Sequence, residues 1–355
     1  MTAACLGRAA GHPTPEGGPG GADAVLQMLR QKWRAELSNR PARVVLTDAG
    51  DSRALMAAAA LAEGGSVAPI VLGRRHLVAE VASGAGIDLP AAVEVLDPEE
   101  AVALPELAGA LGQAADRRRI SHQTARAWHD DPVYLGAAAV SCGWAEACVS
   151  GSSRPTADVL RAAIAVIGLV PDACCVTSSF LMVLQDGRAI SFGDCAVVPE
   201  PTVDELAEVA VATSRTHHRL TGQRPKVALL SFSTKGSAEH PSVQRVRQAL
   251  DVVRRRWPEL AVDGELQADA ALDEAVAEIK SAGSPVAGKA NVLVFPSLEA
   301  GNIGYKLTER LGRARALGPL LQGLAAPMND MSRGCTAEDI ASVALASAVL
   351  ARSIG

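Results

Sequence analysis

The sequence predicts an α/β protein of two lobes, each built on a mainly parallel sheet covered by helices, with the active cleft between them. Three observations carry this reading. Short apolar runs alternate with stretches of helical spacing, the strand–turn–helix rhythm of parallel sheets. Hydrophobic residues make up 48% of the chain, yet only ten residues are aromatic (four Trp, two Tyr, four Phe). The core must therefore be built from Ala, Val, Leu and Ile, as buried parallel strands require. Finally, 355 residues at about 150 per domain give two domains.

The elements follow in order. The first 23 residues lack an apolar signal segment and carry a Gly/Pro-rich stretch from His12 to Gly21, which reads as a flexible tail. A helix is expected from Ala24 to Leu37, with Val25, Met28, Leu29 and Trp33 on one side. Val44–Leu46 is a strand; the polar turn Asp48–Ser52 leads into an Ala-rich helix, Ala54–Glu63. Val67–Leu72 is a second strand with a helix after it. The rhythm recurs at Ala147–Ser150 before a helix over Ala157–Ile167, and at Val227–Leu230 before the helix that follows Pro241. It appears again at Asn291–Phe295. A last, smoothly apolar helix runs from Ile340 to Ala351. Breaks at Pro171–Cys175 and Ala325–Asn329 mark domain boundaries.

Several function classes fall away. A net charge of −5 offers no basic face, so nucleic acid is not an expected partner. No apolar run reaches the ~18 residues that span a bilayer, so no membrane partner is expected either. The seven cysteines (5, 142, 148, 174, 175, 195 and 335) are odd in number and contain no C-x2-C pair. They read as free thiols in a reducing cytoplasm, not as a disulfide framework or zinc site. No Walker spacing, no G-x-G-x-x-G after the first strand and no G-x-S-x-G elbow occur.

Three polar clusters remain. Asn329-Asp330-Met331-Ser332-Arg333-Gly334-Cys335-Thr336 precedes the last helix, which Asp339 enters within its first turn. Backbone N–H groups, a hydroxyl and a guanidinium can converge there on an anion. The T-x-x-D spacing of Thr336 and Asp339 equally fits a capping pattern, and both readings stand. Ser150-Gly151-Ser152-Ser153-Arg154-Pro155-Thr156, with Arg161 five residues further on, suits a phosphate at a strand end; an ordinary capped helix is the other reading. Gly301-Asn302-Ile303-Gly304-Tyr305-Lys306, with Arg310 beyond, is the third.

At these clusters the sequence resembles the phosphate acetyltransferases (phosphotransacetylases). The likeness extends over nearly the whole chain after the tail. It is densest in DPVYLGAAAV (131–140), PTADVLRAAIAVIGL (155–169), FGDCAVVPEPT (192–202), LLSFSTKGSAEHP (229–241), VDGELQADAA (262–271), AGKANVLVFPSLEAGNIGYKLTERLG (287–312) and GPLLQGLAAPMNDMSRGCTAEDI (318–340). FPSLEAGNIGYK and GLAAPM look most like the ethanolamine-utilisation subgroup. The resemblance implies an isocitrate/isopropylmalate-dehydrogenase-like pair of lobes, a cytoplasmic homodimer, and reversible transfer of acetyl between coenzyme A and phosphate. It also implies that the C-terminal helices close the first lobe, which makes it 24–174 with 329–355 and the second 175–328. A bacterial microcompartment is a second location that this subgroup leaves open. Acetyl-CoA, phosphate and acetyl phosphate are then the small-molecule partners. No permanently bound cofactor or metal is implied, since coenzyme A enters as a substrate.

Residue by residue, the resemblance makes Ser332 the group that orients the CoA thiol, Arg333 a contact to anionic substrate oxygen, and Asp339 the base. Arg161 is implied as a phosphate ligand and Arg310 as a CoA contact. Ser153, Thr156, Asn302 and Asn329 complete the substrate-binding set. The chemistry is coherent: a thiol of pKa roughly 8.5 needs a carboxylate to take its proton before it can attack an acyl carbonyl. Arginine forks match the oxygens of the leaving phosphate. Cys335, beside Ser332, reads as a small packed residue and not a nucleophile. Two departures stand out. Where relatives carry an arginine in an E-L-R-K-like stretch, this chain has Ala115 and Asp116 followed by Arg117, Arg118 and Arg119, so Arg117 is taken as the replacement contact, with a solvated basic face as the alternative. LTDAGDSR at 46–53 departs from the Pro-Glu of many relatives but keeps Asp51 and Arg53. Transfer of propionyl or butyryl groups, or a catalytically silent acetyl-CoA-sensing module, are the competing functions.

Overall fold

The structure, a computed structural model, describes residues 21–352. The expected tail therefore lies outside the described residues up to position 20. Its last three residues, Gly21 to Asp23, form the first turn of a helix, Gly21–Leu37, which begins earlier than its apolar periodicity indicated. Eleven strands follow in the chain: β1 (Ala42–Leu46), β2 (Val67–Leu72), β3 (Glu94–Leu96), β4 (Ala147–Ser150), β5 (Thr177–Val183), β6 (Ala189–Gly193), β7 (Lys226–Leu230), β8 (Ala261–Leu266), β9 (Val292–Val294), β10 (Arg315–Gln322) and β11 (Met328–Asp330).

These strands make two sheets. The first runs β11-β4-β1-β2-β3, with every pairing parallel. The Gly21–Leu37, Ser52–Glu63, Arg75–Ala85 and Ala337–Ala351 helices bury their apolar sides on one face, through residues such as Trp33, Leu55 and Val343. Helices Pro105–Arg118, Pro132–Ser141 and Thr156–Ala162 cover the other through Leu107, Leu135 and Val159. With both faces covered, β1 and β4 are buried along nearly their whole length, which is why they read as unbroken apolar runs. The expected helix over 157–167 is an α-helix to Ala162 that continues as a π-helix, Ala163–Ile167, and stops at Gly168.

The second sheet runs β10-β5-β6-β9-β7-β8. Its β6, β9, β7 and β8 are parallel, whereas β10 and β5 join antiparallel. Helices Val203–Thr221 and Pro241–Arg256 lie on one face, and Ala268–Leu272, Glu274–Lys280 and Leu298–Arg310 on the other. Four of these strands are invisible to a search for apolar runs, for physical reasons. Gly318 and Pro319 interrupt β10 and shift its register, so it reads as a turn. Strand β5 opens on Thr177, Ser178 and Ser179: the Ser178 hydroxyl donates to buried Asp194, while on the other face Gln322 donates to Ser179 at 2.9 Å and Thr216 at 2.8 Å, and accepts from Thr177 at 3.1 Å and Thr213 at 3.3 Å. Strand β8 carries buried Asp263 and Glu265, made tolerable by Lys235, Arg254 and Arg247. Strand β6 is short and lies next to those hidden strands.

The Gly21–Leu37 helix ties the sheets together. Trp33 is fully buried in the first core and its indole N–H donates to the Leu220 carbonyl, 2.9 Å away on the Val203–Thr221 helix. Trp33→Ala should lower unfolding free energy by about 3–5 kcal/mol, read by urea denaturation; a loss under 1 kcal/mol would mean that this helix is not an integral part of the folded unit.

Candidate active site

In the first sheet the chain moves from β1 outward to β2 and β3, while β4 and β11 lie on the other side of β1. This reversal leaves a crevice at the carboxyl ends of β1 and β4, the place where open parallel sheets bind ligands. Register aligns the three strand ends: Leu46 pairs with Val149, and Ser150 with Asp330. The loops that leave them, 47–51, 151–155 and 331–336, therefore meet.

One side chain fastens all three. Arg53 donates through Nη1 to the carbonyls of Arg333 (2.8 Å) and Cys335 (2.7 Å), and through Nη2 to the carbonyl of Ser152 (2.9 Å). Its Nε and Nη2 also fork onto Asp51 at 3.0 and 2.6 Å. Asp51 accepts in turn from the Ser152 hydroxyl at 2.8 Å and caps the Ser52–Glu63 helix. Burial pushes the Asp51 carboxyl up, but the hydrogen bonds from Arg53 and Ser152 and the Arg53 charge outweigh it and hold the group below its usual value. Asp48, buried, accepts from the N–H groups of Ser152 (3.4 Å) and Ser153 (3.1 Å) and from the Ser153 hydroxyl.

On the β11 side, Met331 N–H donates to the Ser150 carbonyl at 2.7 Å, and the Thr156 hydroxyl donates to Asp330 Oδ2 at 2.6 Å. Gly151, at φ +98°, lies so close that a Cβ there would stand 2.0 Å from Asp330 Oδ1. Only glycine fits that turn. Arg154 is held by Asp131 at 3.1 Å.

The sequence-predicted residues fall into three groups. Ser332, Arg333, Asp339, Ser153 and Thr156 are on these loops or just beyond them, and Arg161 projects from the helix that Thr156 begins. Ser332 and Arg333 are exposed; the Ser332 hydroxyl accepts from Gly334 N–H at 3.3 Å, and the Arg333 guanidinium makes no ion pair among the described residues. Asp339 is half-buried and completes the capping box: its Oδ2 accepts from the N–H (2.9 Å) and hydroxyl (2.8 Å) of Thr336, whose Oγ1 accepts from Asp339 N–H. Its Oδ1 makes no hydrogen bond among the described residues. Arg161 is exposed and paired with Asp158 at 2.6 Å. Cys335 is buried, and burial above all pushes its thiol up to about 11, as suits a packed residue.

Asn302 and Arg310 form a second group on the Leu298–Arg310 helix of the other sheet. Asn302 donates to the Cys195 carbonyl at 3.1 Å, and Arg310 is exposed beside Glu309. No hydrogen bond or ion pair joins either to the three loops among the described residues. The third group, Asn329 and Arg117, is engaged elsewhere in the fold. Asn329 is buried, accepts from Leu321 N–H and donates to Ser347, both at 2.6 Å; both ends of its amide are engaged in bracing β11. Arg117 donates to the Val166 carbonyl at 2.8 Å and Arg118 to that of Ile164, so the arginine run caps the π-helix and does not reach the crevice loops. Among the described residues no set of His, Cys, Asp and Glu gathers as metal ligands, and no helix is long and apolar enough to cross a membrane.

Sequence reasoning took Thr47-Asp48 as a departure from the relatives and Asp51 and Arg53 as merely retained beside it, and saw Asp330 only as part of a loop; it gave none of them a role. The available signal was D-x-x-D-x-R directly after the first parallel strand, where a crevice is built.

Comparison with known proteins fixes the class. The phosphate acetyl/butaryl transferase family matches residues 26–348, and the chain belongs to that family of acyltransferases. The phosphate acetyltransferase of Thermoanaerobacterium thermosaccharolyticum is 41% identical over 93% of this chain and all of its own length. The EutD phosphotransacetylase from Staphylococcus aureus superposes with a TM-score of 0.83 at 38% identity, over 92% of this chain and 99% of that one, which supports the likeness to the ethanolamine-utilisation subgroup. A putative 4-hydroxythreonine-4-phosphate dehydrogenase from Salmonella typhimurium, at 14% identity and a TM-score of 0.52 over 87% of this chain and 100% of that one, shares the fold.

Because the folded-state pKa of Asp51 is depressed, its contribution to stability is present above its unfolded pKa of about 3.9 and is lost as pH falls through the lower folded value. Asp51→Asn should therefore be less stable than wild type in urea melts at neutral pH and converge with it below about pH 3; a gap that persists in acid would mean the carboxylate charge is not what holds the loops.

Proposed function

We propose that the chain is an active phosphate acetyltransferase, interconverting acetyl-CoA plus phosphate with acetyl phosphate plus CoA in a ternary complex. The observation that carries this is the Arg53 clamp, which sets the 331–336 loop, and Asp339 just beyond it, against the 151–156 loop at a parallel-sheet crevice. In this reading Ser332 orients the CoA thiol and Asp339 takes its proton; the free Oδ1 leaves a site for it while Oδ2 serves the cap. The thiolate attacks the acetyl carbonyl carbon, the C–O bond to phosphate breaks, and phosphate leaves with that electron pair. Arg333 and Arg161 receive the phosphate oxygens, with Ser153 and Thr156 beside them. Asn302 and Arg310 are proposed as CoA contacts from the second lobe.

The lobes are proposed as 24–174 with 329–355 and 175–328, and the active form as a cytoplasmic homodimer. Support for the dimer comes from Ile303, Leu307 and Leu311, three exposed apolar residues four apart along the Leu298–Arg310 helix and its end. A role in ethanolamine utilisation and acetate metabolism is the pathway reading.

Asp339→Asn should lower kcat by about 10²–10⁴ with CoA affinity by calorimetry near that of wild type; unchanged turnover removes Asp339 as the base. Loss of thioester absorbance with acetyl-, propionyl- and butyryl-CoA, with and without phosphate, tests the activity itself. Fastest phosphate-dependent cleavage of acetyl-CoA is expected, whereas CoA binding without cleavage would indicate a silent sensor. Leu307→Glu should halve the mass seen by light scattering, and an unchanged mass would remove this helix from the interface.

A further inference from the structure

Beneath the phosphate side of the crevice sits a carboxylate that the reaction above does not use. Asp330 is buried at the end of β11. Its Oδ2 accepts from the Thr156 hydroxyl at 2.6 Å, and its Oδ1 is buried without a hydrogen-bond partner. Gly151 is pressed against Oδ1, leaving no room for a side chain at that position. The neighbouring charge that acts on Asp330 is Asp48, another carboxylate; burial first, and Asp48 as well, raise its pKa to about 6 against the opposing effects of the Thr156 hydrogen bond and the Met331 N–H. At neutral pH it is thus mainly ionised.

An ionised carboxylate can only accept, so the single hydrogen of the Thr156 hydroxyl is committed to Asp330. What Thr156 can turn toward the half-buried mouth of the crevice is oxygen lone pairs. A lone pair backed by a carboxylate that pairs with no cation among the described residues repels an oxygen that carries no hydrogen and accepts from one that does. Inorganic phosphate keeps at least one P–OH at neutral pH, and sulfate, of nearly the same size and shape, keeps none.

We infer that Thr156, held by Asp330, is the specificity-determining pair with which this site accepts hydrogen phosphate and rejects sulfate. The pair reads the proton on the anion, while Arg161 and Arg333 supply attraction that does not distinguish the two. Asp330 touches no substrate atom and acts as a positioning residue. This inference rests on the phosphate acetyltransferase reading for its location.

The test compares phosphate and sulfate in wild type, Thr156→Val, Thr156→Ser and Asp330→Asn. Calorimetry gives the two dissociation constants, and the acetyl-CoA assay gives KM for phosphate and the inhibition constant for sulfate. Wild type should prefer phosphate by about tenfold or more, the range of one charge-linked hydrogen bond made against one refused. Thr156→Val, which removes the hydroxyl, should bring the two constants together, and Asp330→Asn should move them the same way by removing the repelling charge. Thr156→Ser should keep the wild-type ratio. Loosening of the loop alone would weaken both anions in parallel and leave the ratio unchanged; that result, or equal affinity in wild type, overturns the inference. Selective phosphate binding without turnover would sink the enzymatic reading and leave the proton-reading pair standing. Turnover with an unaltered ratio in Thr156→Val would do the reverse. Should Asp330→Asn fail to fold, the Thr156 pair of variants still decides.

Discussion

The candidate site depends on one guanidinium. Three loops leave three adjacent parallel strands, and none of the three has regular structure to fix its course. Arg53 reaches the backbone of two of them and the carboxylate of the third, so the groups brought together at 151–156 and 331–336 share a common anchor. A lysine, with a single ammonium on a flexible stem, lacks the fork that serves carbonyls and carboxylate at once. Asp51 and Asp48 extend the arrangement: each is buried or nearly so, and each spends its oxygens on the serine loop. The crevice is thus organised by polar groups that satisfy one another beneath its surface, leaving Ser153, Ser332 and Arg333 exposed above.

In the first sheet β1, β2 and β4 were legible because cover on both faces leaves them almost purely apolar, with β2 and β4 on the residues expected, whereas the three-residue edge strands β3 and β11 carry Glu94, Asn329 and Asp330 and give no such signal. The second sheet was half hidden. Its antiparallel edge depends on Gln322 bonding Thr177 and Ser179 of β5, and β8 on Lys235, Arg247 and Arg254, which stand outside the strand and pair with Asp263 and Glu265. Such partnerships have no periodicity to detect; they exist only once the chain has folded. The same reason separates the site residues that were foreseen from those that were not. Ser332, Arg333 and Asp339 stand in one short stretch, whereas Arg53 gains its meaning from partners about 100 and 280 positions away.

Asn329 and Arg117 illustrate the converse. Polar residues close to a suggestive stretch were taken for ligands, yet the fold had already engaged them. A buried amide with both ends bonded, and a guanidinium capping the carbonyls of a π-turn, are structural answers to the demand that polar groups without water find partners. Proximity in sequence gave no means of telling an available hydrogen-bonding group from an occupied one.

The capping box at Thr336 and Asp339 makes one carboxyl group answer to two demands. Its Oδ2 closes the first turn of the last helix, whose apolar side is a principal part of the first core. Its Oδ1 makes no hydrogen bond among the described residues, so the same carboxyl holds the helix start and still presents a free acceptor. The chain after β11 is fixed from two sides, by the cap at Thr336 and by Arg53 gripping the carbonyls of Arg333 and Cys335, so the stretch between strand and helix has little slack of its own.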